Sequence, residues 1–290
     1  MFRSHWLAVC IAMIAVVVLA LPAHAAPIYT FENLIAGANL IGQDNWVHAN
    51  TLSTNSPEFK ILFGSGSDTS KVATALVPQN AQAARQSDAN FSIPTFTSLA
   101  TIYLEADFQV GNGLAAFGLI QAPGGNSFSA TSPWMAVTSA TSGTPAVTTH
   151  QFNFRPSFVP GGGLQTNVQM GTAAPEIQTN DWIRLRMELD LTGQSGNGSA
   201  NMFYKDLTLG QTSFTPIAGL QGMNAGILAN SAANKYFWDS LFLRASISDG
   251  TNSIDNLEVG IISAGVPEPA SIGMLMMALV GVGVQRRRKN

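Results

Sequence analysis

Few side chains of this chain could act as nucleophiles or bind transition metals. The 290 residues include one cysteine, Cys10, and four histidines, of which only His48 and His150 lie beyond the first 25 residues. Neither histidine stands in a spacing typical of zinc sites. The sequence also lacks a G-x-S-x-G nucleophile elbow. We therefore expect no disulfide, zinc or serine-hydrolase chemistry.

Glu105 and Asp107 are the best candidates for carboxylate chemistry. The tripeptide Glu105-Ala106-Asp107 resembles the catalytic sequence of concanavalin A-like family-16 glycoside hydrolases, in which a second Glu follows four or five residues after the first. The resemblance implies a nucleophile and a general acid on one face of one strand. Gln109 and Val110 occupy those later positions, whereas a retaining mechanism needs two carboxyl groups. We therefore predict no catalytic residue, no hydrolase activity and a protein that is not an enzyme.

Three short motifs resemble recurrent features of extracellular jelly rolls, a group that includes concanavalin A-like lectin/glucanase domains and carbohydrate-binding modules. They are Phe31-Glu32, Gly42-Gln43-Asp44-Asn45-Trp46 and Ile254-Asp255-Asn256-Leu257. In several carbohydrate-binding jelly rolls an early Glu and an Asp of the last strand share a structural Ca²⁺. The resemblance implies that role for Glu32 and Asp255, and their oxygens suit Ca²⁺. A surface pair or hydrogen bonds to backbone are the alternative, and no other cofactor is expected.

Two aromatic side chains, Tyr103 and Trp182, fall on the polar sides of alternating segments. An aromatic ring in such a position offers apolar area and a polar handle to a sugar ring. We predict them as ligand-binding residues, with packing in the core or in loops as the alternative.

Alternation with a period of two dominates the middle of the chain. In Asp181–Leu191 the apolar residues are Ile183, Leu185, Met187, Leu189 and Leu191. Such segments form strands with one face in a core, and Gly/Asn/Ser loops separate them. The pattern predicts an all-β fold: a single antiparallel β-sandwich of the jelly-roll, concanavalin A-like type, over residues 26–263. An N-terminal signal helix and a C-terminal transmembrane helix are expected to flank it.

The N-terminus has the order of a secretory signal peptide. Arg3 precedes an apolar run from Trp6 to Leu21, and Ala23-His24-Ala25 follows. A charged start, an apolar stretch and a small-x-small cleavage site, in that order, are typical of a secretory signal peptide. We predict a signal peptide over residues 1–25, with cleavage after Ala25 directed by Ala23 and Ala25.

The C-terminus, residues 264–290, resembles the PEP-CTERM family of sorting tails. Val266-Pro267-Glu268-Pro269 precedes an apolar segment, Ala270 to Val284, and the basic cluster Arg286, Arg287, Arg288 and Lys289. The resemblance implies an exosortase as partner, removal of the tail, and association with exopolysaccharide and biofilm. Fifteen helical residues span about 22 Å, short of the ~30 Å hydrocarbon core, which favours a transient anchor over a permanent one.

These features predict a protein exported through the inner membrane, held there transiently, and then located at the cell surface or outside the cell. Nine basic residues face 17 acidic ones between the terminal clusters, so the region repels phosphates and we expect no nucleic-acid partner. The first functional hypothesis is a non-catalytic protein that binds polysaccharide or other matrix components. The alternatives are a secreted glycan-active enzyme on the same fold and a structural surface-layer subunit.

Overall fold

The computed structural model describes residues 28–48, 59–64, 70–76, 80–86, 88, 91, 101–120, 133–142, 147–156, 170–196, 198–226, 240–249 and 251–262. The signal peptide with Ala23 and Ala25, the PEP tripeptide and both expected terminal helices lie outside these residues. None of the helical segments in the described ranges is long and apolar enough to cross a membrane.

Strands make up most of the described part of the chain. In chain order they are β1 (Ile28–Tyr29), β2 (Trp46–Val47), β3 (Phe59–Phe63), β4 (Lys71–Leu76), β5 (Asn80–Gln86), β6 (Thr101–Gln109), β7 (Asn112–Ile120), β8 (Trp134–Ser142), β9 (Val147–Arg155), β10 (Met170–Ala173), β11 (Trp182–Asp190), β12 (Ser199–Asp206), β13 (Thr215–Pro216), β14 (Met223–Asn224), β15 (Ser240–Asp249) and β16 (Thr251–Ile262). One turn of 3₁₀ helix, Gln194–Gly196, lies between β11 and β12.

The strands form two antiparallel sheets. The larger sheet has the order β13-β12-β11-β6-β16-β4-β3, with β1 paired to β16 and β14 to β12. The smaller sheet has the order β10-β9-β8-β7-β15-β5-β2. Some neighbours in the sheets are far apart in sequence, as in β6 and β16, which is typical of a sandwich closed by long connections. The prediction of an all-β, antiparallel sandwich is thus confirmed.

Alternation along the strands builds the core between the sheets. Ile183, Leu185, Met187 and Leu189 of β11 are fully buried, while the residues between them are partly exposed. From the smaller sheet Phe117, Phe152 and Phe154 face them in the same cluster of buried side chains. This apolar layer holds the larger sheet rigid and thereby fixes which side chains stand on its outer face.

The outer face of the larger sheet is less exposed than alternation alone suggests. On β6, Glu105 and Asp107 are each 6% exposed and Gln109 is 7% exposed. Strands flank β6 on both sides, since β11 and β16 both pair with it along its length. Neighbouring polar side chains on those strands cover the face, so its charges must be satisfied by each other.

Candidate functional site

A cavity of about 430 Å³ opens on the outer face of the larger sheet. It lies where β6, β11 and β16 run side by side. The residues that line it come from several separate places in the sequence: Thr30, Glu32, Ser70, Asp107, Trp182, Leu207, Thr208, Asp255 and Asn256. The lining is therefore mostly polar, with one large aromatic ring.

A β-bulge in β16 shapes the floor of the cavity. Asp255 is the direct partner of Asp107 on β6, and the register then shifts before Glu258 pairs with Glu105. Asn256, inside the bulge, has a φ of 49°, in the left-handed region that Asn tolerates better than most residues. Its side-chain amide donates to Asp107 Oδ2 at 2.8 Å. A β-bulge changes the direction of the side chains in its strand. Here it places the amide of Asn256 in the floor of the cavity, next to Asp107.

Trp182 forms one wall of the cavity. The turn after β12 clamps its backbone, because Trp182 N–H donates to Thr208 Oγ1 at 2.8 Å and its carbonyl accepts from Leu207 N–H at 2.8 Å. The indole Nε1–H is buried and has no acceptor among the described residues.

The opposite wall comes from the segment after β1. Glu32 Oε1 accepts from the backbone N–H of Lys71 at 2.7 Å, and Lys71 Nζ donates to the carbonyl of Glu32 at 2.6 Å. These bonds tie the N-terminal segment to the start of β4. Next to them, Ser70 Oγ donates to Asp255 Oδ2 at 3.0 Å.

Ion pairs beside the cavity balance the buried carboxylates. Arg184 Nε lies 3.1 Å from Glu105 Oε2 and 3.2 Å from Asp107 Oδ1, and Arg186 Nη1 lies 3.0 Å from Glu105 Oε1. Burial raises the pKa of Glu105, while Arg184 and Arg186 oppose that rise. Arg184 is thus the cation that links the floor of the cavity to the rest of the outer face.

Tyr103 and Trp182, the two predicted ligand-binding residues, have different surroundings. Trp182 lines the cavity, whereas Tyr103 belongs to a neighbouring cluster. The hydroxyl of Tyr103 donates to Glu258 Oε1 at 2.6 Å, and Arg186 lies 4.7 Å from the centre of its ring. Burial and the bond to Glu258 raise the pKa of Tyr103. The ring also lies on the backbone at Gly260, where an added Cβ would come within 2.5 Å of it.

Glu32 and Asp255, predicted to share a Ca²⁺, both line the cavity. Within the described ranges no group of three or more His, Cys, Asp or Glu residues is arranged to hold a metal ion. Both carboxylates already accept protein hydrogen bonds, and the one to Glu32 comes from backbone, as in the alternative to Ca²⁺. Calcium binding by this pair stays a prediction.

Sequence reasoning missed the pairing of Asp107 with Asp255. Asp107 belongs to Glu105-Ala106-Asp107, and Asp255 belongs to Ile254-Asp255-Asn256-Leu257. Their sequence separation gives no sign that β6 and β16 are neighbours. Asn256 belongs to that motif but was not predicted as a site residue, and Thr208 was missed, because a bulge and a turn bring them to the cavity and periodicity indicates neither.

Comparison with known families identifies the C-terminal tail. Residues 265–289 match the family model of the PEP-CTERM protein-sorting motif. This chain carries a PEP-CTERM sorting motif. The match includes every residue predicted for the signal, from Val266, Pro267, Glu268 and Pro269 to Arg286, Arg287, Arg288 and Lys289. A PEP-CTERM motif marks an exported protein for an exosortase, with transient anchoring at the membrane.

The β-sandwich is similar in fold to solved alginate lyases. A variant of the alginate lyase Aly36B in complex with alginate trisaccharide has 14% identity and a TM-score of 0.46, over 82% of this chain and 98% of the lyase. An alginate lyase from Pseudomonas aeruginosa has 11% identity and a TM-score of 0.36, over 77% of this chain and 88% of that one. Comparison with curated protein sequences gives no match.

The expectation that this protein is not an enzyme needs correction. The solved structures that it resembles are those of alginate lyases, which contradicts that expectation. Its physical basis is also wrong. The expectation required a second carboxylate on the strand of Glu105, where Gln109 and Val110 stand, but the sheet supplies one to Asp107 from the adjacent strand. A missing residue on one strand therefore does not exclude catalysis.

Proposed function

We propose that this protein is exported, processed by an exosortase, and at the cell surface binds an extracellular polysaccharide of the biofilm matrix in the cavity beside Trp182. The sorting motif supports the location. The main support for glycan binding is the cavity. One of its walls is aromatic, and its floor consists of side chains that can form hydrogen bonds.

The size and the lining of the cavity suit a sugar. Its volume of about 430 Å³ lies within the range of small-ligand sites. Sugar hydroxyls both donate and accept, and the lining offers carboxylates as acceptors, the amide of Asn256 as donor, and the hydroxyls of Ser70 and Thr208 for either role. The indole of Trp182 adds apolar area to the lining.

The negative charge of the cavity favours uncharged glycans over acidic ones. Three carboxylates, Glu32, Asp107 and Asp255, belong to the lining, and the described lining contains neither Lys nor Arg. Arg184 reaches Asp107 from the side and neutralises part of this charge. A uronate ring in the cavity would place a further carboxylate near these groups, at a cost that rises as water is excluded.

We therefore expect uncharged oligosaccharides to bind more tightly than polyuronates such as alginate. A glycan array with matched neutral and uronic-acid chains, followed by calorimetric titration, measures the difference. We expect at least a tenfold preference for the neutral chain, which corresponds to about 1.4 kcal/mol. A preference for alginate would indicate that the glycan binds elsewhere on the sandwich and not in this cavity.

Replacing Trp182 by alanine should weaken glycan binding by about tenfold to a hundredfold, because the variant loses the stacking area of the ring. Titration of the glycan into wild-type and variant protein gives the two dissociation constants. Phe63→Ala is a matched control, since Phe63 is an aromatic side chain with 65% exposure that does not line the cavity. Equal losses in both variants would show that the cavity is not the site.

A further inference from the structure

An aromatic ring lies among the charged side chains on the outer face of the larger sheet, next to the cavity. It belongs to Phe214, the residue before β13. We propose that Phe214 is a second sugar-stacking residue, so that the protein binds several consecutive sugars of one glycan chain, one of them in the cavity and a later one on this ring. The inference rests on the proposed function, because it extends the site beside Trp182.

Two cations hold the ring of Phe214 on the outer face. The guanidinium carbon of Arg186 lies 5.5 Å from the centre of the ring, and Lys205 Nζ lies 4.8 Å from it. Cations at such distances are attracted to the faces of aromatic rings. Both cations belong to the outer face, because Arg186 alternates with buried residues of β11 and Lys205 is the direct partner of Arg184 on β12. The ring therefore lies on the polar side of the sheet.

Phe214 does not have the surroundings of a core residue. Its side chain is partly exposed, and it belongs to neither of the buried apolar clusters that the described residues form. Its neighbours in the chain, Ser213 and Thr215, are exposed. A ring in this setting contributes little to the core but keeps apolar area for a ligand.

The position of Phe214 relative to Trp182 suits a chain of sugars. On β11, Arg184 stands two residues from Trp182 and Arg186 stands four residues from it, all on the same face. These separations correspond to about 7 and 13 Å along a strand. Because Phe214 contacts Arg186 and Lys205, we expect its ring to lie further from Trp182 than a single sugar reaches. A longer chain can contact both rings at once.

The groups around the ring of Phe214 suit an uncharged chain. Arg186 Nη1 lies 3.0 Å from Glu105 Oε1, and Arg186 Nε lies 2.8 Å from Glu188 Oε1. These two carboxylates balance the guanidinium, so this surface does not select for a uronate. The ammonium of Lys205 can donate to sugar hydroxyls, while the apolar face of a sugar packs on the aromatic ring.

The ring of Tyr103 is less available to a sugar. Arg186 lies 4.7 Å from its centre, and the backbone at Gly260 lies so close that an added Cβ would come within 2.5 Å of the ring. The hydroxyl of Tyr103 is already bonded to Glu258. We therefore assign the second sugar contact to Phe214 and not to Tyr103.

The test uses the full chain, purified from the host that exports it, and a series of lengths of the neutral glycan that binds best. Calorimetric titration gives a dissociation constant for each length. We expect the hexasaccharide to bind about tenfold more tightly than the disaccharide, because only the longer chain reaches the second ring. Equal dissociation constants would overturn this inference alone, whereas absence of binding to any glycan would overturn the proposed function as well.

Phe214→Ala should weaken hexasaccharide binding by about tenfold and change disaccharide binding by less than about twofold. A merely structural role for the ring would weaken the binding of both lengths alike, and that result would overturn the inference. Phe214→Trp, which keeps an aromatic ring, should retain the dependence on length. Phe63→Ala is the matched control, since Phe63 is an exposed aromatic residue of β3, at the opposite edge of the sheet from β13.

Discussion

Replacing Pro267-Glu268-Pro269 by three alanines should leave the protein at the inner membrane with its tail attached. Proline fixes its own φ and restricts the residue before it, so we expect the two prolines to disfavour a helix at this tripeptide. Three alanines favour a helix and would extend the apolar segment that follows. An exosortase that recognises the extended PEP sequence then loses its substrate.

The expected effect is nearly complete loss of surface-released protein in a host with the matching exosortase. Intact-mass analysis of the released and membrane fractions measures it directly. Pro216→Ala, in an exposed strand of the sandwich, is the control for proline loss and should not alter release. Recovery of released wild-type protein that still ends at Asn290 would refute processing of the tail.

Arg184→Met should lower the free energy of unfolding by about 3 kcal/mol or more, because it removes a cation from buried Asp107 and one of the two cations that contact buried Glu105. Arg184 is 15% exposed and contacts both Glu105 and Asp107, which are themselves buried. Methionine keeps much of the apolar length of the side chain, so the loss reports on charge. Urea denaturation monitored by fluorescence measures the change.

Lys60→Met is the matched control for Arg184→Met. Lys60 is an exposed cation on β3 of the same sheet, and its replacement should change the unfolding free energy by no more than about 0.5 kcal/mol. A similar small effect for Arg184→Met would mean that the carboxylates on the outer face adjust without their cation, and Arg184 would then lose its assigned role in stability.

The strands and the sheet class followed from periodicity alone. The segment Trp182–Asp190 alternates without error, and its apolar side is fully buried in the structure. One buried face and turn-forming residues between strands are local signals, so a single sequence carries them. The sorting tail could also be predicted from the sequence, because the PEP tripeptide, the apolar segment and the basic cluster must occur in that order at the chain end.

The site could not be derived in the same way. Asp107 and Asp255 meet because β16 lies beside β6, and strand order in a sandwich depends on the packing of the whole chain. The bulge at Asn256 shifts the register within one strand, and no periodic pattern marks its position. A pattern along β6 alone therefore does not indicate the carboxylate of Asp255, which β16 places opposite Asp107.

The indole N–H resonance of Trp182 tests most directly whether the cavity binds glycan. A two-dimensional ¹H–¹⁵N spectrum of the exported protein resolves the indole signals, and Trp182→Phe assigns the one in question. On saturation with the best neutral oligosaccharide, we expect this signal to shift, because a sugar stacked on the ring of Trp182 changes the magnetic surroundings of the indole N–H. The Trp46 signal should stay in place, since its Nε1 already donates to Tyr29 at 2.9 Å in the core. Glycan binding that leaves the Trp182 resonance unchanged would contradict the assignment of the cavity as the binding site.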